Sequence, residues 1–411
     1  MKQLTLLICI EFLFLIGCSP VLKQTNYPPG TFGYDLNFIT SHRKVIVLKD
    51  ESGKPCLITS PELQGRILTS SFDGPDGISL GYINHERIAS TEIFPHTQGY
   101  GGEDRFWIGP QGGQYTIYFH PGDAFNFDNW FTPAPLDTEL FEVVAANDSM
   151  VHYRKKMSLQ NYVQATFDLE VNRKIRLIGR KEAQQLLSVK ELDRMNYVGF
   201  ESDNEITNTG TEAWEKESGL LSIWILGMFP GGSTVIIPYH EGQEAVLGPV
   251  YNEYFTDQLG MLDESQIKIE NGTIFYKGSG NYNGKIGVGA KRARSFLGSY
   301  DEKNNILTII HFSLPNESVD YVNSQWEQQE EPYAGDVVNA YNDGPLDREA
   351  TATPTFYELE SSSPAYELKP GGKMVHFHRT YHFQGSRKQL NNISQTLLGV
   401  NLKKNEGIFF E

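Results

Sequence analysis

Val163-Gln164-Ala165-Thr166-Phe167-Asp168-Leu169-Glu170-Val171 alternates apolar and polar side chains without a break. Successive strand residues point to opposite faces, so a period of two predicts an extended segment with one buried side. Outward from it, similar runs recur at residues 45–48, 66–70, 115–119, 174–178, 220–226, 234–237, 306–314, 355–360 and 374–383. Turn-forming clusters separate them, such as Asp73-Gly74-Pro75-Asp76-Gly77 and Asn342-Asp343-Gly344-Pro345. Helical spacing is scarce. Ala183, Leu186 and Leu187 within residues 182–195, and Val319, Val322 and Trp326, predict two short surface helices. The expectation is an all-β fold of antiparallel sheets, with residues 36–411 as one domain free of repeats and linkers.

The chain has 411 residues, 39% of them hydrophobic, enough for an ample core. Its formal charge of −16 would repel a phosphate backbone, which excludes nucleic acid as a partner and favours a neutral or cationic ligand over a phosphorylated one. Met1 and Lys2 precede an apolar run at residues 4–17, too short to cross a membrane, that ends in Leu15-Ile16-Gly17-Cys18. This leader resembles a bacterial lipoprotein signal. The resemblance implies cleavage before Cys18 and lipidation of Cys18, hence a membrane anchor without a spanning helix. Ser19 in place of Asp implies delivery to the outer membrane, facing the periplasm. Glu11 is an unusual charge inside such a run, and a cleaved soluble secretory protein is the alternative. Residues 19–35 read as a tether. Cys9 leaves with the leader and Cys18 carries lipid, so Cys56 has no partner for an internal disulfide and reads as a core residue.

Residues 101–115, Gly-Gly-Glu-Asp-Arg-Phe-Trp-Ile-Gly-Pro-Gln-Gly-Gly-Gln-Tyr, pack five glycines, a proline, three charges and a Trp together. Glycines let a ligand or a second strand approach the backbone closely. Glu103, Asp104 and Arg105 supply hydrogen-bonding charge for hydroxyl groups, and the indole of Trp107 covers the C–H side of a sugar. The alternative is a turn leading into a strand at residues 115–119. Lys285, Arg292, Trp326 and Asn342 are further candidates for ligand contact. Elbow, metalloprotease, Walker and Rossmann signatures are missing from the sequence, so it implies no cofactor and no metal.

The C-terminal stretch reads Phe356-Tyr357-Glu358-Leu359-Glu360-Ser361-Ser362-Ser363-Pro364-Ala365, then Leu368-Lys369-Pro370-Gly371-Gly372, then His376-Phe377-His378-Arg379-Thr380-Tyr381-His382-Phe383. It resembles the end of galactose mutarotase-like (aldose 1-epimerase-like) proteins, and Gly101 to Pro110 is similar to a Gly-Gly-x-Arg-x-Trp-x-x-Pro segment of that superfamily. Within it, the chain looks most like an uncharacterised family of bacterial lipoproteins. The resemblance implies a β-supersandwich with a few short helices and a carbohydrate pocket on a concave face. It also implies a catalytic carboxylate at Glu360, which falls on the superfamily's Leu-Glu. Glu358 and Glu360 on one strand would share a face about 6.6 Å apart, and carboxylates that close raise each other's proton affinity.

Mutarotases take their general acid from a His in an Asn-His-x-Tyr/Phe motif. Here the comparable stretch is Ile206-Thr207-Asn208-Thr209-Gly210, without histidine. His96, His240 and His378 are the candidate replacements, and His378 is also a candidate ligand contact. His376, His378 and His382 share strand parity and form a histidine-lined face, opposite an apolar set at Val375, Phe377, Tyr381 and Phe383. Three readings follow: an envelope lipoprotein that binds carbohydrate, an epimerase acting on the anomeric centre of a hexose or uronate, or a non-catalytic scaffold with a vestigial pocket.

Overall fold

The computed structural model describes residues 26–190, 192–317, 319–345, 355–403 and 407–409. The leader with Cys18, and residues 19–25 of the expected tether, lie outside the described residues. Three sheets form, and every strand pairing in them is antiparallel. A small sheet holds β1 (Ile46–Lys49), β2 (Cys56–Ser60) and β3 (Arg66–Ser71). The ten-stranded sheet runs, edge to edge, β12 (Ile267–Glu270), β13 (Thr273–Gly278), β10 (Ser233–Pro238), β15 (Phe296–Asp301), β16 (Ile306–Phe312), β19 (Lys373–Gln384), β8 (Asn196–Asn208), β7 (Thr166–Leu177), β6 (Met150–Gln160) and β5 (Glu142–Ala146). The six-stranded sheet runs β11 (Asn252–Tyr254), β14 (Gly284–Gly289), β17 (Asp336–Asn342), β18 (Phe356–Ser362), β9 (Ser222–Pro230) and β4 (Arg105–Gly109). The all-β expectation is borne out.

The two large sheets lie face to face. Phe167, Leu169, Val171 and Ile175 of β7 are buried in one cluster with Phe106, Ile108, Ile223 and Ile225 of β4 and β9. A second cluster joins Val235, Ile274 and Ile310 to Ile286, Val338, Ala340 and Leu359. The alternation that predicted β7 thus buries the predicted side, and residues 174–178 continue the same strand instead of starting another. On the outer face of the ten-stranded sheet, α4 (Arg180–Leu187) and α7 (Arg387–Leu397) pack Ala183, Leu187, Leu390 and Ile393 onto Tyr381, Phe383 and Leu307.

Several expectations fail for local reasons. Residues 163–165 belong to the β6–β7 turn, where Gln164 takes φ 67° and the Asn161 side chain accepts from the Ala165 N–H. Residues 116–119 are buried, but the segment 115–119 forms no strand, because its backbone bonds locally and to a loop: the Thr116 N–H reaches Gly113 O, and Tyr118 O accepts from Phe131. Val319, Val322 and Trp326 lie on no helix, since Tyr321 and Asn323 donate to Tyr333 and Pro332 rather than to their own turn. The helix expected over residues 182–195 stops at Leu187, where Ser188 turns left-handed at φ 54°. The N-terminal part of the fold begins earlier than residue 36: α1 spans Phe32–Thr40 and buries Phe32 and Asp35.

Candidate functional site

Directly paired residues of an antiparallel sheet project from the same side. In the six-stranded sheet Arg105 pairs with Leu226, Leu226 with Glu360, and Glu360 with Asn339. One row over, Met228 pairs with Glu358, Glu358 with Tyr341, Tyr341 with Lys285, and Lys285 with Tyr254. Trp107 pairs with Trp224 in a third row. The intervening residues of β18 face the ten-stranded sheet, since Tyr357 reaches Ser299 and Ser361 reaches His376 and His378. Arg105, Trp107, Trp224, Lys285, Glu358 and Glu360 therefore share the face turned away from the sandwich interior.

Glu360 is fully buried; its Oε2 accepts from Trp224 Nε1 at 2.8 Å and Lys285 Nζ at 3.0 Å, while Oε1 receives no N–H or hydroxyl donor and the Glu358 carboxyl lies within hydrogen-bond reach of the Glu360 carboxyl. The Lys285 ammonium also lies 4.6 Å from the Trp224 ring centre and 5.6 Å from that of Tyr254. Burial first, and the Glu360 charge second, raise the Glu358 carboxyl well above its ordinary range, with Lys285 opposing. A third carboxyl belongs to the same surface. Asp336 accepts from Tyr254 Oη at 2.6 Å and Asn252 Nδ2 at 2.8 Å, and burial lifts it to about 6 against those hydrogen bonds. The face thus sets two carboxyls side by side, Glu360 paired with Lys285 and Glu358 with its proton affinity raised by burial and by its neighbour, a pairing suited to proton transfer.

Arg105 is clamped: its Nη2 donates to Asp137 Oδ1 at 2.9 Å and Thr97 Oγ1 at 3.0 Å, and the guanidinium lies 4.0 Å from the Trp107 ring centre. Asp137 ends α3 (Ala134–Asp137), part of the segment folded over this face. Rings close around it in sequence: Trp224 meets Trp107 at 5.3 Å, Trp107 meets Trp130 at 6.1 Å, Trp130 meets Trp326 at 6.0 Å, and Trp326 meets Phe255 at 5.2 Å. The indole nitrogens of Trp107, Trp130 and Trp326, and Arg105 Nε, are buried without partners.

Other expected residues go elsewhere. Glu103 and Asp104 enter the sandwich interior: Glu103 accepts from Ser70 and meets His382 Nε2 at 2.8 Å, and Asp104 pairs with Arg173 at 2.5 Å and accepts from Ser202. The paired glycines before them admit protein, not ligand. A Cβ on Gly101 would meet Tyr82 O at 2.1 Å, and one on Gly102 would meet Arg66 Cδ at 2.8 Å. Arg292 donates to the carbonyls of Gly248 and His240, and Asn342 is spent on Gly280 N–H and Tyr282 O, so both brace loops. His96 stacks on Phe131 and holds Trp130 O at 2.7 Å, and the His240 side chain is exposed. The three histidines share one face, as their parity predicts, and that face lies between the sheets: His376, His378 and His382 are buried, while Val375 opposite them is 52% exposed, because the N-terminal half of β19 leaves its outer face open to solvent. Among the described residues no group of three or more His, Cys, Asp or Glu is placed to hold a metal ion. Cys56 is buried, and burial pushes its thiol up to about 12.

Trp224, Tyr254, Asp336, Trp130 and Asp137 were missed. Trp224 was legible as the polar-side partner of an alternating run, Ser222-Ile223-Trp224-Ile225, had its parity been followed. The other four sit on a short edge strand, beside a bulge, in a loop and at the end of a one-turn helix, where no periodicity exists to find them.

No curated protein matches the chain significantly. Solved structures similar to it include the Slr1438 protein of Synechocystis sp. PCC 6803, at 14% identity and TM-score 0.48 over 84% of this chain and 96% of that one. A galactose mutarotase-like protein from Lactobacillus casei ATCC 334 is similar at 8% identity and TM-score 0.43, over 83% and 100%. A galactose mutarotase related enzyme from Lactobacillus acidophilus is similar at 11% and 0.43, over 82% and 97%. A protein-family profile covers residues 30–409, and the chain belongs to that family, described as a family of unknown function (DUF6786).

Proposed function

We propose that the outward face of the six-stranded sheet binds a carbohydrate, with the Glu358–Glu360 pair at its anomeric centre. The observation that carries this reading is the buried Glu360 Oε1, which receives no N–H or hydroxyl donor from the protein, on a face that also buries the free indole N–H of Trp107. Such atoms cost stability unless something completes them, and a polyol supplies both donors and acceptors beside C–H surface for the indoles. The substrate class is a hexose or a uronate. If chemistry follows binding, Glu360 takes the anomeric hydroxyl proton and a protonated neighbour, Glu358 or the Lys285 ammonium, returns one to the ring oxygen. The leader ending at Cys18 supports a lipid-anchored protein of the bacterial cell envelope, with the face presented to the periplasm.

The test is an NMR anomer-exchange assay of residues 19–411 beside Glu360→Gln, over a panel of hexoses and uronates. Exchange faster than buffer in the wild type, and reduced at least about a hundredfold in the variant, establishes an epimerase. Saturable line broadening without exchange establishes a binding protein. Neither effect with any sugar refutes the reading.

A further inference from the structure

Arg66 of β3 is buried to 1% exposure, yet it makes one hydrogen bond, from Nη1 to Gly101 O at 2.8 Å. Its Nε and Nη2 are buried without partners. The guanidinium lies 5.5 Å from the centre of the Tyr100 ring, and Arg43 lies 5.7 Å from the same centre, its Nη2 donating to Ser90 O at 2.7 Å and its Nε buried and unpartnered. Arg105, with a free Nε, is the charge that acts most strongly on Arg66, ahead of Asp137.

The carboxylates nearby are already engaged. Asp137 is paired with Arg105, and Asp104 with Arg173. Arg66 and Arg43 thus both lie over the Tyr100 ring, with the charges of Arg105 and Asp137 acting on it from their own pair, in a chain whose net charge is −16. A buried cation without a counter-charge costs several kcal/mol. Gly101 and Gly102 hold the arrangement in place: Gly101 presents the carbonyl that Arg66 grips, and Gly102 leaves room for the Arg66 stem, which its Cβ would strike.

We propose that the free N–H groups of Arg66 and Arg43, around Tyr100, form a binding site for an oxyanion. Planar guanidinium forks match a carboxylate or a tetrahedral oxyanion through paired charge-assisted hydrogen bonds. Arg43 is half-buried and provides the approach from solvent; Arg66 is the inner anchor. The oxyanion is either free in solution or the carboxylate of an acidic sugar whose ring extends past Arg105 towards Glu358. The site itself needs no sugar, so it stands independently of the carbohydrate reading.

The experiment is thermal unfolding of residues 19–411 at constant ionic strength, titrated with sodium sulfate, sodium acetate, glucuronate and glucose, for wild type, Arg66→Met and Arg43→Gln. The expected result is a saturable rise in Tm of the wild type with sulfate or acetate, absent in Arg66→Met. In Arg43→Gln the half-saturating concentration should rise about tenfold, as for loss of one charge-assisted hydrogen bond. Half-saturation by glucuronate at lower concentration than acetate, with glucose inert, assigns the acidic sugar; equal potency assigns the free anion. A wild type that no anion stabilises, or that responds no differently from both variants, overturns the proposal. Should Arg66→Met fail to fold, Arg43→Gln alone decides. Sugar binding with no dependence on Arg43 or Arg66 overturns the oxyanion site and leaves the carbohydrate reading standing.

Discussion

Gly102 shows how a single position links a sequence signal to packing. Its φ of +113° is a conformation that side chains resist, and its missing Cβ is where the Arg66 stem and Ile67 O pass at 2.8 Å. Gly102→Ala should therefore destabilise the protein by about 1–3 kcal/mol, since the backbone and the buried neighbour both resist the methyl group. A urea titration checks it: a midpoint unchanged from wild type would mean that β3 shifts freely, against the buried ladder it forms with β2. The glycines of residues 101–115 were legible as a site of close approach, but not what approaches. That depends on β3, some 35 residues away in the chain and adjacent only after folding.

At the scale of the element, β19 carries the pH behaviour. His376 exchanges hydrogen bonds with Ser313 and Ser361, and His378 with Ser361, all between the two large sheets. Burial lowers His376 to about 3 and His378 to about 4. Both are neutral in the fold and charge in the unfolded chain below about 6.5. The unfolded state thus binds more protons between about 4 and 6.5, and stability is lost as pH falls through that window, by up to about 1.4 kcal/mol per pH unit for each histidine. His376→Asn with His378→Asn should remove these two histidines' share of the slope of the urea-stability profile, to which half-buried His311, lowered to about 4, adds and Asp336, raised to about 6, is opposed, and should leave the slope above pH 7 unchanged. An unchanged slope between pH 4 and 6.5 would show that other groups carry it. The period of two in residues 374–383 predicted the strand and the face that the histidines share but not that this face is buried, because alternation separates two faces without saying which is covered. The Val375 side lacks a covering helix; the His376 side meets β18.

For the whole molecule, two stacked antiparallel sheets bury an apolar interior and leave one face of the six-stranded sheet lined with charge and indole. Under the proposed lipid anchor, presentation of that face at an envelope would depend on Cys18. Expressed in a bacterium that processes lipoproteins, the full chain should fractionate with membranes, and Cys18→Ser should move it to the soluble fraction. Equal membrane association of both would sink the lipid anchor. The sequence by itself determined the strand-rich architecture, the buried side of β7 and the shared face of Glu358 and Glu360, because these follow from a two-residue period that is local. Tertiary contacts set which candidates meet: Glu103 and Asp104 directly precede Arg105 yet turn inward, Lys285 arrives beside Glu360 through β14 and β17, and Trp224 through β9. Strand order and loop closure set those meetings, and neither leaves a periodic trace in the chain.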